Sequence, residues 1–280
     1  MKIIIAQSAG FCCSVQKAYE NIITLRNKFP TTDIQILGEL VHNNHVNKVL
    51  KDTYNITTIQ SLSEYKGAIV VMRTHGEARQ TYDYLQKHGI HYYDFTCPTV
   101  KYVQNIAKQL NDKGYRVIIC GKKDHPEVIG IASYVKDPII VSKPDDLPLN
   151  IIQYHDKIGI LSQTTHNPIV FEEVKAKLVK KVKELKAFNT ICPSTVQRKK
   201  ESLKIAKISN CMLVIGSPTS SNTQELAHFC KGSGKPVYCI ETAKQLQPHF
   251  FRCARKVGVT ASASTPDFVI QEIVSKLEKM

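Results

Sequence analysis

Apolar residues in this chain gather into short runs separated by polar joints. "KIII" (2–5), "IQILGEL" (34–40), "AIVVM" (68–72), "RVIIC" (116–120), "KIGIL" (157–161), "CMLVI" (211–215) and "KVGVTA" (256–261) are brief and nearly unbroken. That is the pattern of strands buried on both faces, as in parallel sheets. Three of the intervening stretches read as helices, from residue 13 to about 29, from 98 to about 112 and from 193 to about 208. Strands alternating with helices predict an α/β fold with mainly parallel sheets. No apolar run approaches the roughly 18–20 residues of a membrane span.

The joints repeat. "AGFCCSV" (9–15), "DFTCPTV" (94–100) and "TICPSTV" (190–196) each put a cysteine where an extended run meets a helix start. Each is followed by helix, strand and polar loop, at matching distances. Cys12 to His42 is 30 residues, Cys97 to His125 is 28 and Cys192 to Ser220 is 28. A second strand with a polar end follows in each pass, at His75, Thr164 and Ser264. This is an internal repeat with a period near 90, and it predicts three α/β units over 1–95, 96–190 and 191–280. Ligands of such sheets bind beyond the carboxyl ends of the strands. The spacing therefore predicts one central site of three thiolates ringed by His, Ser, Thr and Asn.

Composition narrows the chemistry. The nine cysteines are odd in number, contain no CxxC pair, and follow a start that reads as a strand rather than a leader. A reducing, cytoplasmic setting is expected, without a disulfide framework. Cys120, Cys211 and Cys239 lie in strand-like runs and are expected in the core, with Cys13 in a packing role. An apolar content of 42% and a mean hydropathy of −0.20 fit a soluble protein with a real core. The 38 basic and 24 acidic residues give +14, which suits nucleic acid or a small polyanion steered by the field. The densest basic run, "VKAKLVKKVKELK" (174–186), is expected to be a solvated helix face. With no nucleic-acid motif beside it, nucleic acid is not expected as a partner.

Three cysteines separated by about 90 residues are unlike the short ligand pairs of structural zinc. Iron–sulfur clusters prefer thiolates, normally four; three would leave an iron open to an outside ligand. The polar loops have two readings. "SSNTQEL", with Glu225 three after Asn222, and "STPD" and "HNP", with Pro in the first turn, resemble helix caps. Helix starts also bind phosphate, and His42, His75 and His125 in equivalent loops favour an anion pocket. Glu127 in "HPEV" follows one of these histidines and is the carboxylate expected to move a proton.

Taken together, "GFC" (10–12), "LVHN" (40–43), "THG" (74–76), "TCP" (96–98), "HPEV" (125–128), "SQTT" (162–165), "TIC" (190–192), "SSN" (220–222) and "VTASAST" (259–265) resemble, in order along nearly the whole chain, the 4-hydroxy-3-methylbut-2-enyl diphosphate reductase family. The resemblance implies a cloverleaf of three pseudo-repeated α/β domains around a [4Fe–4S] cluster held by Cys12, Cys97 and Cys192. It implies a diphosphate site from His42, His75, His125, Ser220, Ser221, Asn222 and Ser264. Thr164 and Glu127 would lie by the substrate hydroxyl, Glu127 as proton donor. The implied reaction is reductive dehydroxylation of an allylic diphosphate in the non-mevalonate isoprenoid pathway, with electrons from ferredoxin or flavodoxin and no membrane partner. A cluster-binding relative acting as a redox or iron sensor, or on another allylic or phosphorylated substrate, is the alternative. Ser14 and Ser262 stand where the family commonly has Gly, and Thr74 and Cys13 also depart from its pattern. A lost Gly matters where the backbone needs positive φ or close approach.

Overall fold

The computed structural model describes the chain except Thr219 and Cys253, and the backbone alone of Ser221. Its strands are β1 (Lys2–Ile5), β2 (Ile34–Leu37), β3 (Ile56–Ile59), β4 (Ile69–Met72), β5 (Tyr92–Asp94), β6 (Arg116–Cys120), β7 (Ile139–Val141), β8 (Lys157–Ser162), β9 (Glu184–Ala187), β10 (Cys211–Ile215), β11 (Val237–Ile240) and β12 (Lys256–Ala261). The helices are α1 (Cys13–Lys28), α2 (Asn44–Tyr54), α3 (Arg79–Lys87), α4 (Pro98–Asp112), α5 (Pro126–Ala132), α6 (Pro168–Val179), α7 (Pro193–Ile208), α8 (Ser221–Lys231) and α9 (Asp267–Glu278). Among the described residues no helix is long and apolar enough to cross a membrane.

The strands form three four-stranded sheets, ordered β1-β12-β10-β11, β5-β4-β2-β3 and β9-β8-β6-β7, and their ladders are parallel. The three orders are one topology. In each, the edge strand that leads into a candidate ligand cysteine (β1, β5 or β9) pairs with the strand ending in the second polar loop (β12, β4 or β8). For the last sheet that edge strand comes from the opposite end of the chain, with Ile3 opposite Val257 and Ile5 opposite Val259. The three short 3-10 turns at Leu62–Glu64, Pro144–Asp146 and Ala243–Gln245 repeat as well. In each the third side chain takes two backbone N–H groups: Glu64 from Gln60 and Ser61, Asp146 from Ser142 and Lys143, and Gln245 from Glu241 and Thr242.

By internal contacts the chain divides into two compact units, Met1–Thr31 with Glu39–Thr58 and Pro193–Met280, and Thr32–Gly38 with Ile59–Cys192. In the first unit β10 alternates its faces. Cys211, Leu213 and Ile215 pack with Val269, Ile270, Ile273 and Leu277 of α9, whereas Met212 and Val214 pack with Ile205 and Ala206 of α7 and Leu226 and Cys230 of α8. Helices on both faces explain why the run carries no polar alternation. In the second unit Val117, Ile119 and Leu161 join Val103, Ile106 and Leu110 of α4 and Val128 and Ile131 of α5.

Three expectations are corrected. Cys239 is exposed, because β11 is an edge strand; among the described residues the third buried cysteine is Cys230, on a helix. The basic run 174–186 is not one helix: α6 ends at Val179 and "ELKA" is strand β9. Ser14 lies in α1, and neither Ser14 nor Ser262 has positive φ, so glycine's backbone freedom is needed at neither. It is needed at Gly216, at φ +156, where a Cβ would stand 2.5 Å from Thr223 Oγ1 and 2.7 Å from Ser262 Oγ.

Candidate active site

Each candidate ligand cysteine sits where an edge strand ends and a helix begins. Cys12 precedes α1, Cys97 precedes α4 and Cys192 precedes α7. Their backbone N–H groups make one equivalent bond each, from Cys12 to Ala263 O (3.4 Å), from Cys97 to Thr74 O (2.9 Å) and from Cys192 to Thr164 O (2.8 Å). Every acceptor lies in the polar loop after the neighbouring strand of the same sheet. Backbone geometry thus fixes each cysteine beside the loop carrying Ser264, His75 or Thr164. The first turns of α1, α4 and α7 hold no acidic residue, so nothing competes with a thiolate for the helix N-termini.

The donor chemistry fits a three-thiolate group. Cys12, Cys97 and Cys192 are all half-buried. Burial pushes the thiols of Cys120 and Cys230 up to about 12 and raises Cys211 as well, which keeps those three protonated and poor as ligands. Cys13 and Cys239 are exposed but stand outside the repeated joint.

Within the second unit the predicted residues form a connected series. His75 and His125 meet edge to face with ring centroids 5.3 Å apart. Arg73 and Glu77, 2.6 Å apart and mostly buried, bracket the His75 loop. His125 caps α5, and its Nδ1 accepts from Glu127 N at 3.2 Å. That bond places the ring proton on Nε2. Glu127 is 1% exposed. Its Oε1 accepts from Thr164 N at 2.6 Å and its Oε2 from Thr164 Oγ1 at 2.8 Å. Burial raises its pKa to about 7, against the two Thr164 bonds that pull it down. At neutral pH this carboxyl is poised between acid and base.

Within the first unit, His42 Nδ1 lies 3.1 Å from Glu39 Oε2, and Ser264 Oγ donates to His42 O at 3.4 Å. Ser262 holds Ser264 (3.1 Å) and Thr265 (3.0 Å) through their hydroxyls. Ser220 is the N-cap of α8 and accepts from Thr223 N at 3.4 Å, so the cap is Ser220 rather than the expected Asn222. Asn222 is half-buried in the first turn, and the side chain of Ser221 lies outside the described residues. In "HNP", Asn167 caps α6 with Pro168 first, as expected. In "STPD", Pro266 is itself the N-cap position, one residue earlier than expected.

Sequence reasoning missed Asn43, whose side chain accepts from both His45 N (3.0 Å) and Val46 N (3.1 Å) at the start of α2. It also missed the buried polar face of α7, made of Thr195, Arg198, Lys199 and Ser202. "TVQRKKES" reads as a solvated run. The available clue was the i, i+3 placement of Arg198 and Glu201 beside a site joint.

Comparison with known proteins agrees in extent. A family model described as LytB protein matches residues 3–278. The 4-hydroxy-3-methylbut-2-enyl diphosphate reductase of Caldanaerobacter subterraneus is 36% identical over 286 residues, covering 100% of this chain and 98% of the relative. A solved structure of (E)-4-hydroxy-3-methyl-but-2-enyl diphosphate reductase, the terminal enzyme of the non-mevalonate pathway, is 36% identical with a TM-score of 0.72 and covers both chains completely. The structure of the E-1-hydroxy-2-methyl-but-2-enyl-4-diphosphate reductase from Plasmodium falciparum superposes with a TM-score of 0.88 at 25% identity, over 98% of this chain and 87% of that one.

Proposed function

The chain belongs to the LytB protein family, and on that premise we propose that it is a 4-hydroxy-3-methylbut-2-enyl diphosphate reductase. It converts the (E)-allylic alcohol diphosphate to isopentenyl and dimethylallyl diphosphates. One C–O bond breaks and one C–H bond forms; two electrons and two protons enter, and water leaves. The observation that carries the chemistry is the buried Glu127–Thr164 pair, a carboxyl held near pH 7 against a hydroxyl.

Cys12, Cys97 and Cys192 would hold a [4Fe–4S] cluster. When bound, such a group supplies single electrons and an iron open to an outside oxygen ligand. This chain's own residues supply the rest. Both oxygens of Glu127 are committed to Thr164, so a proton leaving the carboxyl passes through Thr164 Oγ1 to the departing hydroxyl oxygen. Refilling is easy because the carboxyl titrates near the working pH. His125 offers Nε2–H; with His42, His75, Ser220, Ser221, Asn222 and Ser264 it binds the diphosphate through charge-assisted hydrogen bonds. These contacts are remote from the reacting carbon and orient it. A ferredoxin- or flavodoxin-type carrier delivers the electrons, and acidic proteins of that kind suit a net charge of +14.

Glu127→Gln keeps size and polarity but carries no transferable proton. Turnover with a small-molecule reductant should fall about 10²–10⁴-fold, while substrate still perturbs the bound cluster's spectrum. Near-normal turnover would place the proton source elsewhere.

A further inference from the structure

Residues 7–12 belong to no helix or strand, so their backbone groups have no ladder partner. Those of Gln7, Ser8 and Gly10 are bound instead by side chains of one helix, α7. Glu201 accepts from Gln7 N at 2.7 Å, from Ser8 N at 2.9 Å and from the Ser8 hydroxyl. Arg198 is 3% exposed; its Nη1 donates to Ser8 O and to Ala261 O (2.8 Å), and its Nη2 to Gly10 O (3.0 Å). Ser8 is thereby gripped at both its N–H and its C=O. Ala261 ends β12, two residues before the carbonyl that receives the Cys12 N–H. The guanidinium thus ties together both backbone segments beside Cys12. Opposite it, Gly10 has φ +99, and a Cβ there would lie 2.5 Å from Asp267 Oδ1, so the loop has no room to drift towards α9.

Burying a guanidinium in this way is a costly way to stabilise a fold, since apolar packing often does as well. It does give what apolar packing lacks, namely a directional hold on a loop that has no secondary structure. The helix bearing it starts at Pro193, directly after Cys192, and Arg198 is about 7.5 Å further along the helix axis. One rigid element therefore begins at one candidate ligand and grips the loop of another.

We infer that Arg198 and Glu201 are positioning residues that clamp the Cys12 loop and set how firmly that thiolate holds the iron–sulfur group, an inference that rests on the ligand set proposed above. Removing the clamp loosens one ligand of three and opens a route for iron loss, without touching substrate groups.

The test uses full-length protein reconstituted anaerobically with iron and sulfide, comparing wild type, Arg198→Met, Arg198→Lys, Glu201→Gln and Cys12→Ser. Iron release to a ferrous chelator is followed by cluster absorbance, and amide hydrogen exchange is read in the apoprotein. Loss of a charge-assisted bond to the loop should speed exchange at Gln7 and Ser8 roughly tenfold, with β10 and β12 unchanged. Iron release should accelerate by a similar factor in Arg198→Met and Glu201→Gln, and Arg198→Lys should fall between Met and wild type. If Arg198→Met does not fold, Glu201→Gln carries the same expectation. A loosened loop with wild-type iron release overturns the inference and leaves the ligand set standing, as does unchanged loop exchange. Wild-type iron retention in Cys12→Ser overturns the ligand set and the inference with it.

Discussion

Glu127 shows how one residue links folding to chemistry. Its ordinary pKa of 4.5 rises to about 7 in the folded protein because burial disfavours the carboxylate. Below pH 4.5 both states are protonated and nothing is lost. As pH rises through this window the unfolded chain ionises first, so folding weakens, and above about 7 the loss is constant at ~3 kcal/mol. Glu127→Gln removes that titration. In denaturant unfolding of the apoprotein, its stability relative to wild type should therefore improve by ~3 kcal/mol between pH 4.5 and pH 8; a difference that does not change with pH would mean the carboxyl is not shifted. A second prediction at this scale concerns the thiols. Cys12→Ser, Cys97→Ser and Cys192→Ser should each fail to retain a full cluster by iron and sulfide analysis, whereas Cys120→Ala, in the core, should retain it. Equal iron in all four would refute the assignment.

At the scale of elements, residues of the candidate site motifs are also helix caps. Asn43 ends the "LVHN" motif and holds α2 by two backbone bonds, while His125 caps α5 with the ring nitrogen that fixes its tautomer. Asn43→Ala should cost about 1 kcal/mol and lower the Tm by roughly 2–4 °C for a chain of this size. The circular dichroism melt that checks it would show no shift if water caps the helix as well. Capping is therefore present in these loops and is compatible with the proposed function. Under the proposed assignment the same side chain would satisfy the helix and line the anion site, which is why sequence alone left the two readings unresolved.

At the scale of the whole molecule, the repeat is completed by joining the two ends of the chain. β1 pairs along β12, and the bonds from Lys2 N to Arg255 O and from Ala6 N to Val259 O frame the register. Parallel pairing alternates, so the Ile4 N–H faces β12 and the Ile3 N–H faces the open edge. Ile4→Pro should then destabilise by about 1–3 kcal/mol more than Ile3→Pro, the cost of one lost ladder bond, with faster hydrogen exchange along β12. Equal effects of the two prolines would mean the strand is not held by this ladder.

By itself the sequence determined the α/β class, the main strands and helices, and the three equivalent cysteine joints. Those features are written locally: in unbroken apolar runs such as 211–215, in Pro98 and Pro193 at helix starts, and in a spacing near 90. The family motifs named Glu127 and Thr164, but only the fold made one pair of them, because two residues 37 apart meet through sheet order. The tertiary structure also decided which cysteines are inert. Cys239 and Cys211 lie in similar runs, yet one is on an edge strand and the other in the interior. It decided, too, that "ELKA" is a strand, since pairing with β8 outweighs a helical composition. Arg198 and Glu201 look like surface charges in sequence. Arg198 became buried and Glu201 half-buried because α7 faces a loop whose bare amides and carbonyls need charged partners, and burial of that kind depends on what lies opposite rather than on the local pattern.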